Sequence, residues 1–398
     1  MDAQATQPCD APDRDVPPGS AGRIGAMVAG NQLQVIEHGP DLLSALISLI
    51  DQARVSLKLY YYIFAADESG RKVMDALLAA RHRGVAVTLI IDAFGSATTP
   101  DMTFDALRRA GGRFAWFGMR RSTRYLIRNH QKMAIADNQC ALIGGFNVAD
   151  DYFGQADDGC WHDVGLLVEG EAAARLSRWY RLLDKWTFST RQRFGWLRAM
   201  VRRWQRGAGP LQWAIGGPTR FLSPWARQVK HDLQNGRQLD MIEAYFAPGR
   251  GMLRRMGQVA RRDGARLVLP SLSDNGATIG AARFLYRGML RRGITLFEYQ
   301  PCKLHMQLIV IDDIVYIGSA NFDMRSLFLN LELMLRIEDT QFAQQMRQFV
   351  ARRIQDSRQI HVVDVASAGW LTRVKWWVSY LLVGVVDYTV TRRLNFRS

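Results

Sequence analysis

One polar pattern occurs twice in this chain, and it constrains the fold more than any other feature. NHQKMAIADNQ, residues 129–139, carries His130, Lys132 and Asp137 at spacing H-x-K-x4-D. CKLHMQLIVIDD, residues 302–313, carries His305, Gln307 and Asp312 at the same spacing, with an amide where the first copy has a cation. Each copy leads into a glycine-containing turn that ends in asparagine, ALIGGFN with Asn147 and VYIGSAN with Asn321. A chain that repeats a rare pattern about half its length apart is expected to repeat the fold around it.

The flanking segments repeat in the same order. VSLKLYYYIF (55–64) reads as a buried strand, SGRKVMDALLAARHRG (69–84) as a helix closed by glycine, and VAVTLIIDAFG (85–95) as a second strand. A helix near 102–111, a strand at 113–118, the motif strand, a return strand at 164–170 and a helix at 171–186 follow. The second round runs through LDMIEAYF (239–246), a helix at 249–264, a strand at 265–274, a helix near 279–292, a strand at 294–299, the second motif, a strand at 331–338 and a helix at 340–356. This order predicts an α/β protein of two similar halves. Each would be a mainly parallel β-sheet flanked by helices, with the site where the two motif edges face each other. The expected boundaries are a disordered tail at 1–30, halves at 31–186 and 222–358, a basic amphipathic linker at 187–221 and an amphipathic segment at 359–398.

Strand side chains alternate faces, so Arg128, His130 and Lys132 should share one face, as should Lys303, His305 and Gln307. Asp137 and Asp312 complete the motifs and belong to the candidate catalytic set. On a regular strand, though, they fall on the other face and read better as structural anchors than as bases. Two histidines meeting across a cleft, ringed by cations and amide donors, suit phosphoryl transfer. One imidazole attacks phosphorus, the other moves the proton, and the donors stabilise the equatorial oxygens. No cofactor or metal is expected. The net charge of +15 favours an anionic partner but does not choose among nucleic acid, anionic lipid and phosphorylated substrate. Cys9, Cys140, Cys160 and Cys302 lack metal-ligand spacing, and with no signal sequence they read as reduced thiols of a cytoplasmic protein.

HQKMAIAD…GGFN and HMQLIVID…GSAN closely resemble the phospholipase D superfamily, over residues 31–356. Within it, IDAFGS (91–96), MIEAYFAPG (241–249) and IGSANFDMRSLFLNLE (317–332) resemble bacterial cardiolipin synthases of the type without N-terminal transmembrane helices. The resemblance implies metal-independent phosphatidyl transfer between phospholipids through a phosphohistidine, forming cardiolipin. It implies His130 as nucleophile and His305 as general acid/base. Asp163 and Glu332 stand at the positions of the acidic residues that support the histidines. The departure is Gln307, where the family has lysine; a lost donor at such a place typically costs about 10²–10³ in rate. Either Lys303 reaches along the strand to substitute, or the second half is weakened. Lys303, Gln307 and Arg128 are the candidate substrate-binding residues.

No segment reaches the roughly 18–20 apolar residues of a membrane-spanning helix. WWVSYLLVGVV (376–386), flanked by Arg373, Lys375, Arg392 and Arg393, fits a helix lying in a membrane surface. RQRFGWLRAMVRRWQRG (191–207) repeats Leu197, Met200, Val201 and Trp204 along one face of a basic helix, and reads equally as an anionic-lipid contact or as a packed linker. The expected partners are therefore anionic phospholipids such as phosphatidylglycerol and a membrane surface, with no nucleic acid. The expected location is peripheral, at the cytoplasmic face of the cell membrane. Two alternatives stay open: a hydrolase of the phospholipase D or nuclease type using the same site with water, or a lipid-binding relic created by Gln307.

Overall fold

The structure is a computed structural model and describes residues 24–118, 127–155, 159–204, 207–219 and 221–386. It is an α/β fold of two similar halves, each built on an eight-stranded sheet flanked by helices. In the first sheet the strands run in the order Gly25–Val28, Asn31–Ile36, Gly165–Glu169, Cys140–Gly144, Met133–Ala136, Ser56–Tyr61, Ala86–Asp92 and Arg113–Phe117. The last three pair in parallel, as strands joined by crossover helices must. The motif strand Met133–Ala136 joins that trio antiparallel and continues into an antiparallel ladder.

The second sheet repeats the plan. Leu239–Glu243, Ala265–Pro270 and Thr295–Tyr299 form its parallel trio. Gln307–Ile311 joins it antiparallel and leads through Ile314–Gly318 to Leu333–Glu338. Both motif strands are apolar and buried on both faces, which fits MAIA and QLIVI to the middle of a covered sheet.

Three apolar cores follow. One lies outside each sheet, under that half's own helices. The third lies between the sheets and joins the halves: Met133, Ile135 and Ile143 pack there with Leu308, Val310 and Ile317. Strand alternation decides this division, since Ala134 and Ala136 point to the outer core while Met133 and Ile135 point to the shared one.

The motif aspartates close the hairpins. Asp137, Asn138 and Asp312 lie in the left-handed region at φ 52°, 61° and 47°, which short polar side chains tolerate best among residues with a Cβ. The Asp137 carboxylate accepts the amides of Arg54, Val55 and Ser56 at 2.8, 2.8 and 2.7 Å. The Asp312 carboxylate accepts those of Arg237 and Gln238 at 3.0 and 2.9 Å. Each aspartate thus ties the motif hairpin to the start of the central strand beside it. Placing Asp137 and Asp312 in the catalytic set is corrected on this ground: their hydrogen bonds run to backbone at the far end of the motif strand.

Two boundaries also shift. Gly25–Val28 pairs with Asn31–Ile36 in a hairpin, so ordered structure begins inside the stretch read as a tail; residues 1–23 of that reading lie outside the described residues. Leu211–Ile215 forms the edge of the second sheet, so the second half begins inside the stretch read as linker. The helix Phe194–Arg203 buries Leu197, Met200 and Val201 in the shared core. Most of its apolar face is therefore spent on protein, while Arg191, Arg193, Arg202 and Arg203 face outward together with Trp196, which is 39% exposed.

Candidate active site

The two motif histidines are positioned by the same device used twice, each time across the junction between halves. The His130 amide donates to the Leu331 carbonyl at 2.8 Å, and the Leu331 amide donates to the Arg128 carbonyl at 3.0 Å. The His305 amide donates to the His162 carbonyl at 2.9 Å, where Lys303–Leu304 pairs in parallel with Trp161–His162. The residue after each partner is acidic: Glu332 follows Leu331, and Asp163 follows His162. Backbone pairing between halves therefore delivers each acid to the histidine of the other half.

At His130, Nδ1 faces the Ser319 carbonyl at 2.9 Å and Glu332 Oε2 at 3.2 Å. A carbonyl only accepts, so Nδ1 carries the hydrogen and Nε2 keeps its lone pair. Burial lowers the His130 pKa, and the adjoining Lys132 lowers it further against the pull of Glu332. The neutral imidazole is thus favoured, with a bare Nε2. Lys132 Nζ lies 2.8 Å from that nitrogen. Lys132 is fully buried, which brings its pKa down to about 7. Glu332 is held as a carboxylate despite burial by His130, Lys132 and the Ser319 hydroxyl, which donates at 2.7 Å.

His305 has a simpler support. Its Nδ1 meets Asp163 Oδ2 at 2.7 Å, and Asp163 Oδ1 accepts the Val164 amide at 2.7 Å. The rings of Tyr152 and Trp161 pack edge-on to the imidazole, with centroids 5.1 and 5.2 Å away. The two imidazoles are close enough that a charge on His305 lowers the pKa of His130.

The remaining candidates separate. Asn321 is buried and its Oδ1 accepts from Gln307 Nε2 at 3.1 Å. Asn147 is buried and its Oδ1 accepts the Ile63 amide at 3.0 Å. Arg128 lays its guanidinium on Phe94, 4.0 Å from the ring centroid, and its buried Nε has no partner among the described residues. Its charge still reaches Tyr62, whose ring stands 4.9 Å from that of His130. Lys303 is corrected. The strand breaks between Leu304 and Gln307, so the two do not share a regular face, and Lys303 Nζ lies over the Trp161 ring at 5.6 Å. Residues 119–126, which precede Arg128 closely in the chain, lie outside the described residues.

Sequence reasoning missed several residues. Asp92 accepts the amides of Phe94, Gly95 and Asn129 at 2.9, 3.0 and 2.9 Å, which holds the residue just before His130. Its place in IDAFGS was the available signal. Tyr62, Tyr152 and Trp161 carry no spacing that would reveal a wall around an imidazole. Gly145 was legible only as part of a small-residue turn. A Cβ there would lie 2.1 Å from Gln307 Oε1 and 2.8 and 2.9 Å from the Asp163 oxygens.

This duplicated fold, with a histidine from each half supported by an acid from the other, is that of the phospholipase D superfamily. The chain belongs to the family described as cardiolipin synthase, PLD-like domain, which matches residues 46–179 and 229–354. It is 30% identical over 339 residues to cardiolipin synthase B of Salmonella typhimurium, covering 80% of this chain and 79% of that one. It is 30% identical over 315 residues to a cardiolipin synthase of Geobacillus thermodenitrificans, covering 76% of this chain but only 62% of the relative's length. Phosphatidylserine synthase of Haemophilus influenzae shares the fold at a TM-score of 0.70 and 12% identity, over 90% of this chain and 95% of that one.

Proposed function

We propose that this chain moves a phosphatidyl group from one phospholipid to the alcohol of another, forming cardiolipin through a phosphohistidine at His130. The observation that carries the reading is the His130 tautomer: Nδ1 bonded to a carbonyl and a carboxylate, Nε2 bare beside Lys132. Nε2 attacks phosphorus and the P–O bond to the leaving alcohol breaks. That oxygen takes a proton from His305 Nε2, while Asp163 steadies the imidazolium before transfer. The acceptor alcohol then gives its proton to His305 and its oxygen attacks phosphorus, which breaks the P–N bond and frees His130. Lys132, Asn321 and Gln307 supply donors around the phosphate.

A lipid substrate is supported by the C-terminal helix Trp370–Tyr380. Phe284 of the helix Gly276–Leu290 stacks on Tyr380 at 4.9 Å, and Gly280 admits Ser379, so one face is docked on the second half. The other face is bare: Trp370 is 73% exposed, Trp377 48%, and Leu371, Val374 and Val378 lie beside them. At 100° per residue these five fall within about 120° of the helix surface. Such an apolar stripe suits the headgroup boundary of an anionic membrane. Among the described residues no helix is long and apolar enough to cross a membrane. The stretch 387–398, with Arg392 and Arg393, lies outside the described residues.

Purified protein with phosphatidylglycerol vesicles should yield cardiolipin and glycerol, and His130→Ala should abolish both. Phosphatidic acid as sole product would make the protein a hydrolase. Vesicle binding without turnover would make it the relic. Turnover that survives His130→Ala would remove the proposed nucleophile.

A further inference from the structure

Glu243 is a buried acid that the mechanism above does not use. It ends the strand Leu239–Glu243, and the register places it directly opposite Gln307. Directly opposed residues send their side chains to the same face, with Cβ atoms about 4.5–5.5 Å apart. Both side chains are fully buried. Among the described residues neither oxygen of Glu243 has a hydrogen bond of good geometry, the Phe322 amide being the one donor that bears on it, and Gln307 Oε1 has no partner. The charged groups that bear on Glu243 are Asp323 and Glu332, both acidic, with only the Phe322 amide in opposition. Burial and these acids push its pKa well above the usual carboxylate range.

The first half differs at the same place. Its register runs Leu59 to Ala134 and Tyr60 to Met133, so the next step sets Tyr61 opposite Lys132. There a cation faces a phenol. In the second half an amide faces a carboxylic acid.

We propose that Glu243 is a positioning residue that keeps the second half-site uncharged, standing protonated behind Gln307 and matched to it as a pair. A lysine at 307 would take up the Glu243 proton, leaving a carboxylate beside an ammonium, and that ion pair would hold the new charge away from the phosphate. The glutamine is then half of a joint exchange, and one substitution does not reverse it. Gly145 belongs to the same set, since any Cβ there meets the Gln307 amide, whereas the equivalent turn in the second half carries Ser319.

The test compares wild type, Glu243→Gln, Gln307→Lys and the double variant. Infrared spectroscopy at neutral pH reads the proton directly. Wild type should show a protonated-carboxyl band that Glu243→Gln lacks and Gln307→Lys converts to carboxylate. This arm needs no turnover and is independent of the proposed reaction. In a second arm, calorimetry follows inorganic phosphate and the vesicle assay follows turnover. Gln307→Lys should change phosphate affinity less than threefold, while the double variant should bind it at least tenfold more tightly. Glu243→Gln, which keeps a neutral polar group of the same shape, should retain at least a third of wild-type turnover. No protonated band in wild type, or a band that persists in Gln307→Lys, would overturn the proposal. So would a tenfold gain in phosphate affinity from Gln307→Lys alone. If Gln307→Lys does not fold, wild type and Glu243→Gln still decide the protonation state. A wild type inert on lipids but with the expected bands would sink the proposed function and leave this pairing standing.

Discussion

Replacing each supporting acid by its amide should have unequal consequences. Asp163 is the partner of His305 Nδ1, at 2.7 Å. In Asp163→Asn the amide can turn its NH₂ toward Nδ1, which moves the imidazole hydrogen to Nε2. A neutral His305 in that tautomer cannot take the proton of the acceptor alcohol. The comparable change in a Ser-His-Asp triad costs about 10⁴ in kcat, so a loss of about 10³–10⁴ is expected here. Glu332→Gln differs because Ser319 O still faces His130 Nδ1 at 2.9 Å. That carbonyl cannot donate, so Nε2 stays bare. What is lost is a charge-assisted hydrogen bond worth about 1.5–3 kcal/mol, or roughly 10- to 150-fold. Initial rates on phosphatidylglycerol vesicles measure both, with circular-dichroism melts to confirm folding. Equal losses, or a greater loss for folded Glu332→Gln, would refute the tautomer argument.

Three further outcomes follow from the same geometry. The folded-state pKa of Lys132, about 7, lies below its ordinary 10.5, so the unfolded chain binds more protons between those values. Stability should therefore rise with pH across that window. Lys132→Met should flatten the rise, stabilise the protein near pH 6 by about 1–4 kcal/mol and lower turnover by about 10²–10³; denaturant titrations at pH 6, 8 and 10 with parallel rate assays check this. Gly145→Ala should lower kcat by about 10², because its methyl displaces Gln307 and crowds the Asp163 oxygens that hold His305; adding Gln307→Ala should recover part of the rate. Trp370→Glu with Trp377→Glu should weaken vesicle binding by about 10²-fold or more at about 1.5 kcal/mol per ring, with an unchanged melting temperature, as flotation assays would show.

Much of this was legible in the chain because duplication writes the same local problem twice. His130, Lys132, His305, Asn147, Asn321 and the βαβα order could be found by position alone, since strand period and turn chemistry are local properties. The resemblance to the superfamily marked Asp163 and Glu332 as supporting acids, but which histidine each serves depends on how the halves cross. Backbone pairing of Leu331 with Arg128 and His130, and of His162 with His305, sends Glu332 to the first half and Asp163 to the second. Contacts between residues about 140 and 200 positions apart leave no period in a sequence. The same limit hid the fate of Leu197, Met200 and Val201, whose stripe serves a membrane or a core equally well until the core is seen to take it. The sequence by itself determined the parts: two histidines, one lysine, one glutamine and the repeated scaffold that carries them. Only the tertiary structure decided their charge states, because burial and neighbouring charges and dipoles set the balance on His130 and Lys132, and none of these is a property of a residue alone.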